Sequence, residues 1–305
     1  MELRHLRYFV AVAEEGSLSV AADRRLHTAQ PSLSRQIRDL EAELGVTLLT
    51  RSARGVALTA AGRAFLDHAR LALAQVQAAA SAARRAAQPA QHRLALGFLS
   101  GCEPEWLPAV MHVLRDELSR AEVTISSKHS PQLAAQLAAG TLDAAFMRAE
   151  EGFPGLAYRV LLSEPLILIL PSDHRLAAQE TVSASDLVGE TFIGMGDQAP
   201  VLRRVIDDYL RGAGIDLKPT HQAEYISMAV SLVASTRGIA FLPAYTRSFL
   251  TWSVVSRPLA SPVPTIDLVL GTHKANRSPL LASFLARTER LIESVAASSR
   301  LQTAG

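Results

Sequence analysis

The chain has 305 residues, a hydrophobic fraction of 49% and a formal net charge of +2, which together suggest about two globular domains and exclude a disordered chain. A single cysteine, Cys102, excludes an internal disulfide, and neither a signal-peptide pattern nor a membrane-spanning apolar run is recognisable, so we expect a cytoplasmic protein with no membrane partner. The charge is uneven, because residues 1–88 carry twelve arginines, no lysine and eight acidic residues, which weakly favours a nucleic-acid partner for this part.

The first 58 residues predict three short helices. A first amphipathic helix ends near Gly16, and Ser17 is placed to cap a second one. A third helix must start just before Pro31, since proline is tolerated only in the first turn, and Thr28 is its predicted cap. Two short helices joined by a tight corner to a third indicate a helix-turn-helix.

Two short β-like runs and a long helix follow. Residues 46–51 and 56–59 flank a turn that contains Gly55, which predicts a two-stranded wing. Residues 59–88 consist almost entirely of good helix formers. This linker helix cannot bury its apolar stripe alone, so we expect it to pair with a second copy in a dimer, the alternative being that it packs on its own chain.

The third helix, in the stretch TAQPSLSRQIRDLE (28–41), has an unusual polar side. Leu33, Ile37 and Leu40 form its apolar row. The residues expected on the other side suit base edges, because glutamine pairs with adenine and arginine with guanine; they are Gln30, Ser34, Arg35 and Arg38. Further residues are candidates for phosphate contacts, which set position rather than sequence; they are Thr28, Ser32, Arg51 and Arg54. A solvated polar helix face is the alternative.

From residue 92 onward, strand and helix patterns alternate. Strands are predicted at 93–98, 123–127, 143–147, 166–170, 238–242 and 266–272, and helices at 106–118, 131–139, 200–210, 228–236 and 279–295. This alternation predicts parallel α/β layers. We expect two lobes with a hinged cleft, because the chain leaves one lobe near 163–164 and returns near 264–267. The predicted effector-binding region, 89–305, then divides into lobe I (89–162 and 268–305) and lobe II (163–267).

Two serines lie at the expected mouth of this cleft. Ser100 follows the strand at 93–98 and Ser130 follows the strand at 123–127, and each precedes a helix. Free N–H groups and the helix dipole favour anions at such positions. Serines that only cap helices are the alternative. Arg148, at the end of the next strand, could bind an acidic effector, and a structural ion pair is an equal alternative.

Three stretches of the sequence closely resemble the LysR-type transcriptional regulators. They are LRYFVAVAEEGSLSVAA (6–22), TAQPSLSRQIRDLEAELGVTLLTR (28–51) and LTAAG (58–62). The layout of that family, a winged helix, a linker helix and a two-lobed α/β effector-binding domain like periplasmic binding proteins, fits the whole chain. Beyond residue 92 the resemblance rests more on pattern than on motif, apart from RLALGF, GTLDAAFMR and GIAFLP.

The resemblance implies site residues as well as partners. Family DNA-contacting positions match Gln30, Pro31, Ser34 and Arg35 in the third helix, and Arg51 and Arg54 in the wing. Family effector-pocket positions match Ser100, Ser130 and Pro200, the last of which begins a helix after the loop GMGDQA (194–199). The implied partners are double-stranded DNA with an interrupted palindromic operator, a small molecule, expected to be a carboxylate, further copies of the chain in a tetramer, and RNA polymerase. No cofactor and no metal are expected.

Two other functions are the alternatives to a DNA-binding regulator. GMGDQA fits the dinucleotide pattern G-x-G-x-x-A, but the predicted strand before it is short and no crossover to a parallel neighbour is expected after it, which argues against an NAD-dependent enzyme. A solute-binding receptor without a DNA role would leave residues 1–88 unexplained.

Catalysis finds no support in the sequence. No hydrolase, zinc-protease or phosphate-loop motif occurs, and the nine histidines are scattered rather than spaced as metal ligands. Cys102 could sense oxidants, but a sensor usually needs a second cysteine and a lowered pKa. We therefore expect a regulator and not an enzyme.

Overall fold

The computed structural model describes residues 1–52, 55–87, 93–118 and 121–303. The chain divides into two compact units, Met1–Ala87 and Gln88–Gly305. Within the described residues, no helix is both long enough and apolar enough to cross a membrane.

The first unit contains four helices and a two-stranded hairpin among its described residues. The helices are α1 (Leu3–Glu15), α2 (Leu18–Val20, continued by a π-helical segment, Ala21–Leu26), α3 (Gln30–Leu44) and α4 (Ala60–Ala87). The strands are β1 (Leu49–Ser52) and β2 (Gly55–Leu58), which pair antiparallel as the predicted wing.

The start and end of each short helix follow from local chemistry. Helix α1 ends at Gly16, whose φ of 62° is the left-handed conformation that glycine adopts most easily. The Ser17 hydroxyl accepts a hydrogen bond from the Val20 N–H at 3.4 Å, which confirms the predicted cap of α2. Pro31 lies in the first turn of α3, as predicted. The predicted cap Thr28 is wrong, because Ala29 occupies the cap position and no side chain bonds the free N–H groups.

One core holds the first unit together. Buried side chains of α1, α3 and the segment before the wing meet in it, with Phe9, Leu33 and Ile37 fully enclosed. Gly62 in α4 lies against the carbonyl of Leu48, where an added Cβ would come within 2.0 Å of the oxygen. The glycine of the LTAAG stretch therefore permits close packing of α4 on the segment that leads into the wing.

The second unit is built on a mixed sheet. Its strands are β3 (Arg93–Leu99), β4 (Glu122–Lys128), β5 (Ala144–Met147), β6 (Leu156–Pro171), β7 (Phe192–Met195), β8 (Pro219–Ala223), β9 (Ala240–Pro243), β10 (Val254–Pro258) and β11 (Thr265–His273). Its helices are α5 (Glu103–Val113), α6 (Ser130–Ala138), α7 (Pro200–Gly212), α8 (Ile226–Thr236), α9 (Pro279–Ala286) and α10 (Thr288–Thr303).

The sheet order corrects the expectation of parallel layers. The large sheet runs β10-β6-β11-β5-β3-β4, with β9 also paired to β6. Strand β3 is parallel to β4 and β5, whereas β6 is antiparallel to β9, β10 and β11. The predicted strand at 166–170 is only the second half of the 16-residue strand β6, and the predicted last helix at 279–295 is two helices that meet at Arg287.

Two hydrophobic cores lie in the second unit, and β6 and β11 contribute to both. Leu161 and Leu268 belong to the core around Trp106, which defines lobe I. Residues 166–170 and Ile266 belong to the core of lobe II. The two strands pair with each other where they pass between the lobes, with Ile266 opposite Glu164. The connection between the lobes is thus a two-stranded ribbon.

Candidate functional site

Helix α3 exposes most of the polar residues expected on its outer side. Gln30, Pro31, Ser32, Arg35 and Arg38 are exposed. The Arg35 side chain is 79% exposed, with the Asp39 carboxylate 3.9 Å away. Arg38 donates a 3.4 Å hydrogen bond from Nε to the carbonyl oxygen of Ser34. At this exposure an ion pair contributes little, so both guanidinium groups remain available to a partner.

Ser34 does not lie on the exposed side of α3. It is only 8% exposed and is buried beside Leu33 and Ile37, so its predicted place on the polar face is wrong. The reason is geometric, because residues three apart share a helix face and Ser34 precedes Ile37 by three. The apolar stripe is therefore wider than its row of leucine and isoleucine. Thr28 is half-buried ahead of the helix.

The wing contributes one described candidate. Arg51 lies in β1, where its backbone pairs with Val56 of β2. Arg54 lies outside the described residues.

A pocket lies between the two lobes of the second unit. Lobe I contributes Leu99, Ser100, His129, Ser130, Arg148 and Glu150 to its walls. Lobe II contributes Met195, Gln198, Ala199, Val201, Leu202, Glu224, Tyr225, Ile226, Pro243 and Tyr245. The cavity measures about 50 Å³. The rings of His129 and Tyr225 stack across the lobes with centroids 5.9 Å apart and an interplanar angle of 15°. The two lobes are therefore in contact at this ring pair, and they enclose only a small cavity between them.

Ser100 and Ser130, the two serines predicted to lie in the pocket, do not cap helices with their side chains. The Ser130 hydroxyl accepts a hydrogen bond from the Arg148 N–H at 2.9 Å, in the first turn of α6. The Ser100 hydroxyl lies 3.0 Å from that of Ser127, and Cys102 occupies the cap position of α5. Both serines line the pocket, so the capping alternative is wrong.

Arg148 forms a structural ion pair, which is one of the two alternatives left open by the sequence. It is 4% exposed, and its Nη2 donates to the Glu164 carboxylate at 2.7 Å. The other oxygen of Glu164 accepts from the Tyr245 N–H at 3.1 Å, and the guanidinium lies 5.9 Å from the centre of the Tyr245 ring. Arg148 also lines the pocket. The structural ion pair therefore exists, and it belongs to a residue in the pocket wall.

Pro200 opens α7, as predicted, but it is not among the residues that line the pocket. Its neighbours Ala199 and Val201 are. One argument against a dinucleotide site was wrong, because β7 does pair in parallel with β8 beyond α7. The GMGDQA stretch therefore begins at the end of β7 and is followed by α7 and then by the parallel strand β8.

Most of the other pocket residues were not predicted from the sequence, and three of them carry hydroxyl or carboxyl groups: Tyr225, Tyr245 and Glu150. Tyr225 precedes the predicted helix at 228–236 and Tyr245 follows the predicted strand at 238–242, both without a motif of their own, and Glu150 stands two residues after Arg148. Burial raises the pKa of Glu150 to about 7; the guanidinium of Arg204 opposes this shift and the nearby Glu151 carboxylate adds to it.

Cys102 is a core residue. Its thiol is buried, and burial together with the nearby Glu103 carboxylate raises the thiol pKa well above its usual range. A thiol in such surroundings is not a thiolate and is inert, which removes the basis for an oxidant sensor. The described residues also contain no cluster of three side chains that could hold a metal ion.

Sequence profiles of two domains match the chain in order. A profile described as a bacterial regulatory helix-turn-helix protein of the lysR family matches residues 3–63, and one for the LysR substrate binding domain matches residues 87–291. The chain belongs to the LysR family.

Relatives of this LysR regulator match over nearly their whole length. The Hca operon transcriptional activator HcaR of Escherichia coli is 37% identical over 302 residues, which cover 97% of this chain and 100% of HcaR. The regulator AlsR of Bacillus subtilis is 33% identical over 93% of this chain and 94% of its own length.

Solved structures of full-length regulators are also similar to this chain. Full-length BenM is 28% identical with a TM-score of 0.59 and 98% coverage of both chains. CbnR in complex with its target DNA is 27% identical with a TM-score of 0.56, covering 96% of this chain and 100% of CbnR.

Family membership decides several predictions together. The LysR assignment, the α/β fold class with an N-terminal helix-turn-helix, and the role of a DNA-binding transcriptional regulator with an effector-binding domain are confirmed. The prediction that the chain is not an enzyme is confirmed by the same relatives, which are transcriptional regulators. A receptor without a DNA role and an NAD-dependent enzyme are thereby excluded.

Proposed function

We propose that this LysR regulator reads double-stranded DNA with the exposed side of α3. The observation that carries the proposal is the exposed row formed by Gln30, Arg35 and Arg38 above a buried apolar row. The start of such a helix enters the major groove, where glutamine reads adenine and arginine reads guanine. A relative, CbnR, has been solved with its target DNA.

The remaining DNA contacts are backbone contacts in this proposal. Thr28, Pro31 and Ser32 stand where α3 begins, close to where a phosphate would lie against the free N–H groups of the first turn. Arg51 and Arg54 of the wing hold phosphates of the adjacent backbone. Ser34, being buried, is assigned to packing of α3 rather than to DNA.

The pocket between the lobes binds a small organic anion as effector. Ser100, Ser130 and Arg148 line its lobe I wall, and Arg148 supplies positive charge. Pro200 acts indirectly, by starting α7 between two lining residues. Entry of the anion changes the angle between the lobes, and this change shifts the DNA-binding parts of the assembly.

The proposed domain organisation is a winged helix (1–58), a linker helix (59–88) and an effector-binding domain (89–305). The domain divides into lobe I (89–162 and 268–305) and lobe II (163–267). The unit boundary after Ala87 and the position of the paired strands β6 and β11 support it. The linker helix α4 pairs two copies, two dimers form a tetramer on an interrupted palindrome, and the cytoplasmic complex acts on RNA polymerase.

The test of DNA reading starts from duplexes that the protein itself selects from a random library. We expect the selected sites to be interrupted palindromes, and the affinity to fall steeply as salt rises. Arg35→Ala should cost about 1–3 kcal/mol and relax the preference at one base position. Arg211→Ala, an exposed arginine of α7, is the matched control and should bind as the wild type does. Equal affinity of the Arg35→Ala protein would remove α3 as the reading helix.

A further inference from the structure

Three buried polar atoms in the effector pocket have no hydrogen-bond partner among the described residues. They are Nη1 of Arg148, the hydroxyl of Tyr245 and Oε1 of Glu150. All three residues line the same pocket. Because nearly all buried polar atoms in proteins are hydrogen-bonded, three such atoms around one cavity point to a ligand that bonds them.

Arg148 and Tyr245 offer two donors to one group. Glu164 already accepts from Nη2 of Arg148 and from the backbone N–H of Tyr245, which fixes the guanidinium of Arg148 and the backbone at Tyr245. Burial raises the pKa of Tyr245 well above its usual range, so its hydroxyl keeps its proton and donates. Two neighbouring donors, one of them charged, suit the two oxygens of a carboxylate.

Glu150 offers a different chemistry. With a pKa of about 7, it gains a proton readily when an anion enters beside it, because two carboxylates cannot both stay charged in one buried site. A protonated carboxyl both donates and accepts hydrogen bonds, as a hydroxyl group does. Glu150 is thus matched to a hydroxyl on the ligand.

Part of the remaining pocket wall is apolar, beside the polar lining residues Ser100, His129, Ser130, Gln198, Glu224 and Tyr225. Leu99 of lobe I contributes to this apolar part, together with Met195, Leu202, Ile226 and Pro243 of lobe II. These side chains can surround a hydrocarbon body but cannot bond further polar groups. The small volume of the cavity means that such a body must push the lobes apart to enter.

We propose that the pocket takes a small hydroxylated monocarboxylate with an apolar body, whose carboxylate bonds Arg148 Nη1 and the Tyr245 hydroxyl and whose hydroxyl bonds Glu150. This inference rests on the proposed function, since it takes the pocket to be the effector site. It adds the chemical class of the effector and assigns two residues, Tyr245 and Glu150, to its recognition.

The test measures binding to the purified full-length protein by calorimetry at pH 6.5. The probes are 3-hydroxybenzoate and 4-hydroxybenzoate, with benzoate and the two hydroxybenzamides as matched compounds that lack one group each. The better hydroxybenzoate should bind about tenfold tighter than benzoate and than its own amide. Equal binding of the three compounds, or no binding of either hydroxybenzoate at about 10 mM, would overturn the proposal.

Tyr245→Phe tests the carboxylate contact while keeping the ring. It should weaken hydroxybenzoate binding about tenfold, the loss of one hydrogen bond to a charged group. Tyr209→Phe, a half-buried tyrosine packed on the lobe II core, is the matched control and should leave binding unchanged. Unchanged binding in Tyr245→Phe would remove this residue from the site.

The pH dependence tests Glu150. Bound anion favours the protonated carboxyl, so affinity should be constant below pH 7 and fall by up to tenfold per unit above about pH 7. The charged or titratable groups around Glu150 include Arg204, Glu151 and Tyr158, together with the pocket residues Arg148, His129 and Glu224.

Two variants show whether Glu150 causes this pH dependence of the affinity. Glu150→Gln should bind with no slope between about pH 6.5 and 8.5, and the exposed Glu180→Gln should keep the wild-type slope. An unchanged slope in Glu150→Gln would refute the role of Glu150. DNA affinity of each variant for the selected duplexes separates the two proposals. If the wild-type protein binds DNA normally but binds no hydroxybenzoate, only the proposed effector class is refuted. If the wild-type protein binds no duplex, the proposed function is refuted.

Discussion

Glu164 is the residue whose loss should most disturb the effector-binding unit. It is buried, accepts from Arg148 at 2.7 Å and accepts from the Tyr245 N–H at 3.1 Å. Glu164→Ala leaves the guanidinium in the interior without its counter-charge and the amide without its acceptor. Breaking a buried ion pair from one side costs about 3–5 kcal/mol, and we expect a loss of about 4 kcal/mol in the free energy of unfolding.

Tryptophan fluorescence reports this unit selectively. Both tryptophans of the chain lie in it, Trp106 buried in the lobe I core and Trp252 exposed. For a domain of this size, 1 kcal/mol shifts Tm by roughly 2–4 °C, so a loss of ~4 kcal/mol should lower Tm by about 8–16 °C. Thermal unfolding followed by emission at low protein concentration measures the shift.

Two matched variants separate burial from charge. Glu289→Ala removes the pair with Arg159 at the surface, where the glutamate side chain is 84% exposed, and should cost less than about 1 kcal/mol. The double variant Arg148→Met with Glu164→Leu removes both charges and should recover most of the loss. The reasoning fails if Glu164→Ala stays within about 1 kcal/mol of the wild type, or if the double variant is no more stable than the single one.

Three further outcomes follow from the structure. Gly62→Ala should destabilise the N-terminal unit by about 1–3 kcal/mol, because its Cβ would meet the Leu48 carbonyl. Gly212→Ala is the control, since a Cβ there has open space. Equal melting temperatures of the two variants, measured by circular dichroism, would contradict this prediction. Cys102 should react with a thiol reagent only after unfolding, and fast labelling of the native protein would contradict its burial. Ser130→Ala should leave affinity for the selected duplexes intact but weaken the effector response, since it removes the acceptor of a buried N–H; a full response would remove Ser130 from the pocket.

Helix α3 shows how far local patterns reach. Its position could be predicted because Pro31 restricts where a helix starts, and because three apolar residues repeat at helical spacing. The failures concern single side chains. Thr28 has the chemistry of a cap but lies one residue too early, and Ser34 is small enough to fit inside the apolar stripe. The position of Thr28 has no signature in composition or period, whereas the burial of Ser34 follows from its place three residues before Ile37.

The pocket shows where local patterns stop. Ser100 and Ser130 could be found because the ends of parallel strands converge on one edge of a sheet. Tyr245 could not, because it reaches Glu164 across 81 positions of sequence through the pairing of β9 with β6. The continuity of β6 was also hidden, since Glu164 and Pro165 look like an interruption in an apolar run. Such long-range proximity depends on topology that one sequence does not display.

The paired strands β6 and β11 also set an order for folding during synthesis. Strand β11 fills the place between β5 and β6, yet the ribosome makes it about 120 residues after β5, once nearly all of lobe II has been synthesised. A nascent chain that ends before residue 265 therefore holds two unpaired strand edges that will later face β11, and exposed edges invite pairing with other chains. Lobe II, by contrast, is nearly continuous in sequence. Lobe I is thus begun first and completed last. The nascent regulator passes through a stage in which its unpaired strand edges make it most prone to aggregation.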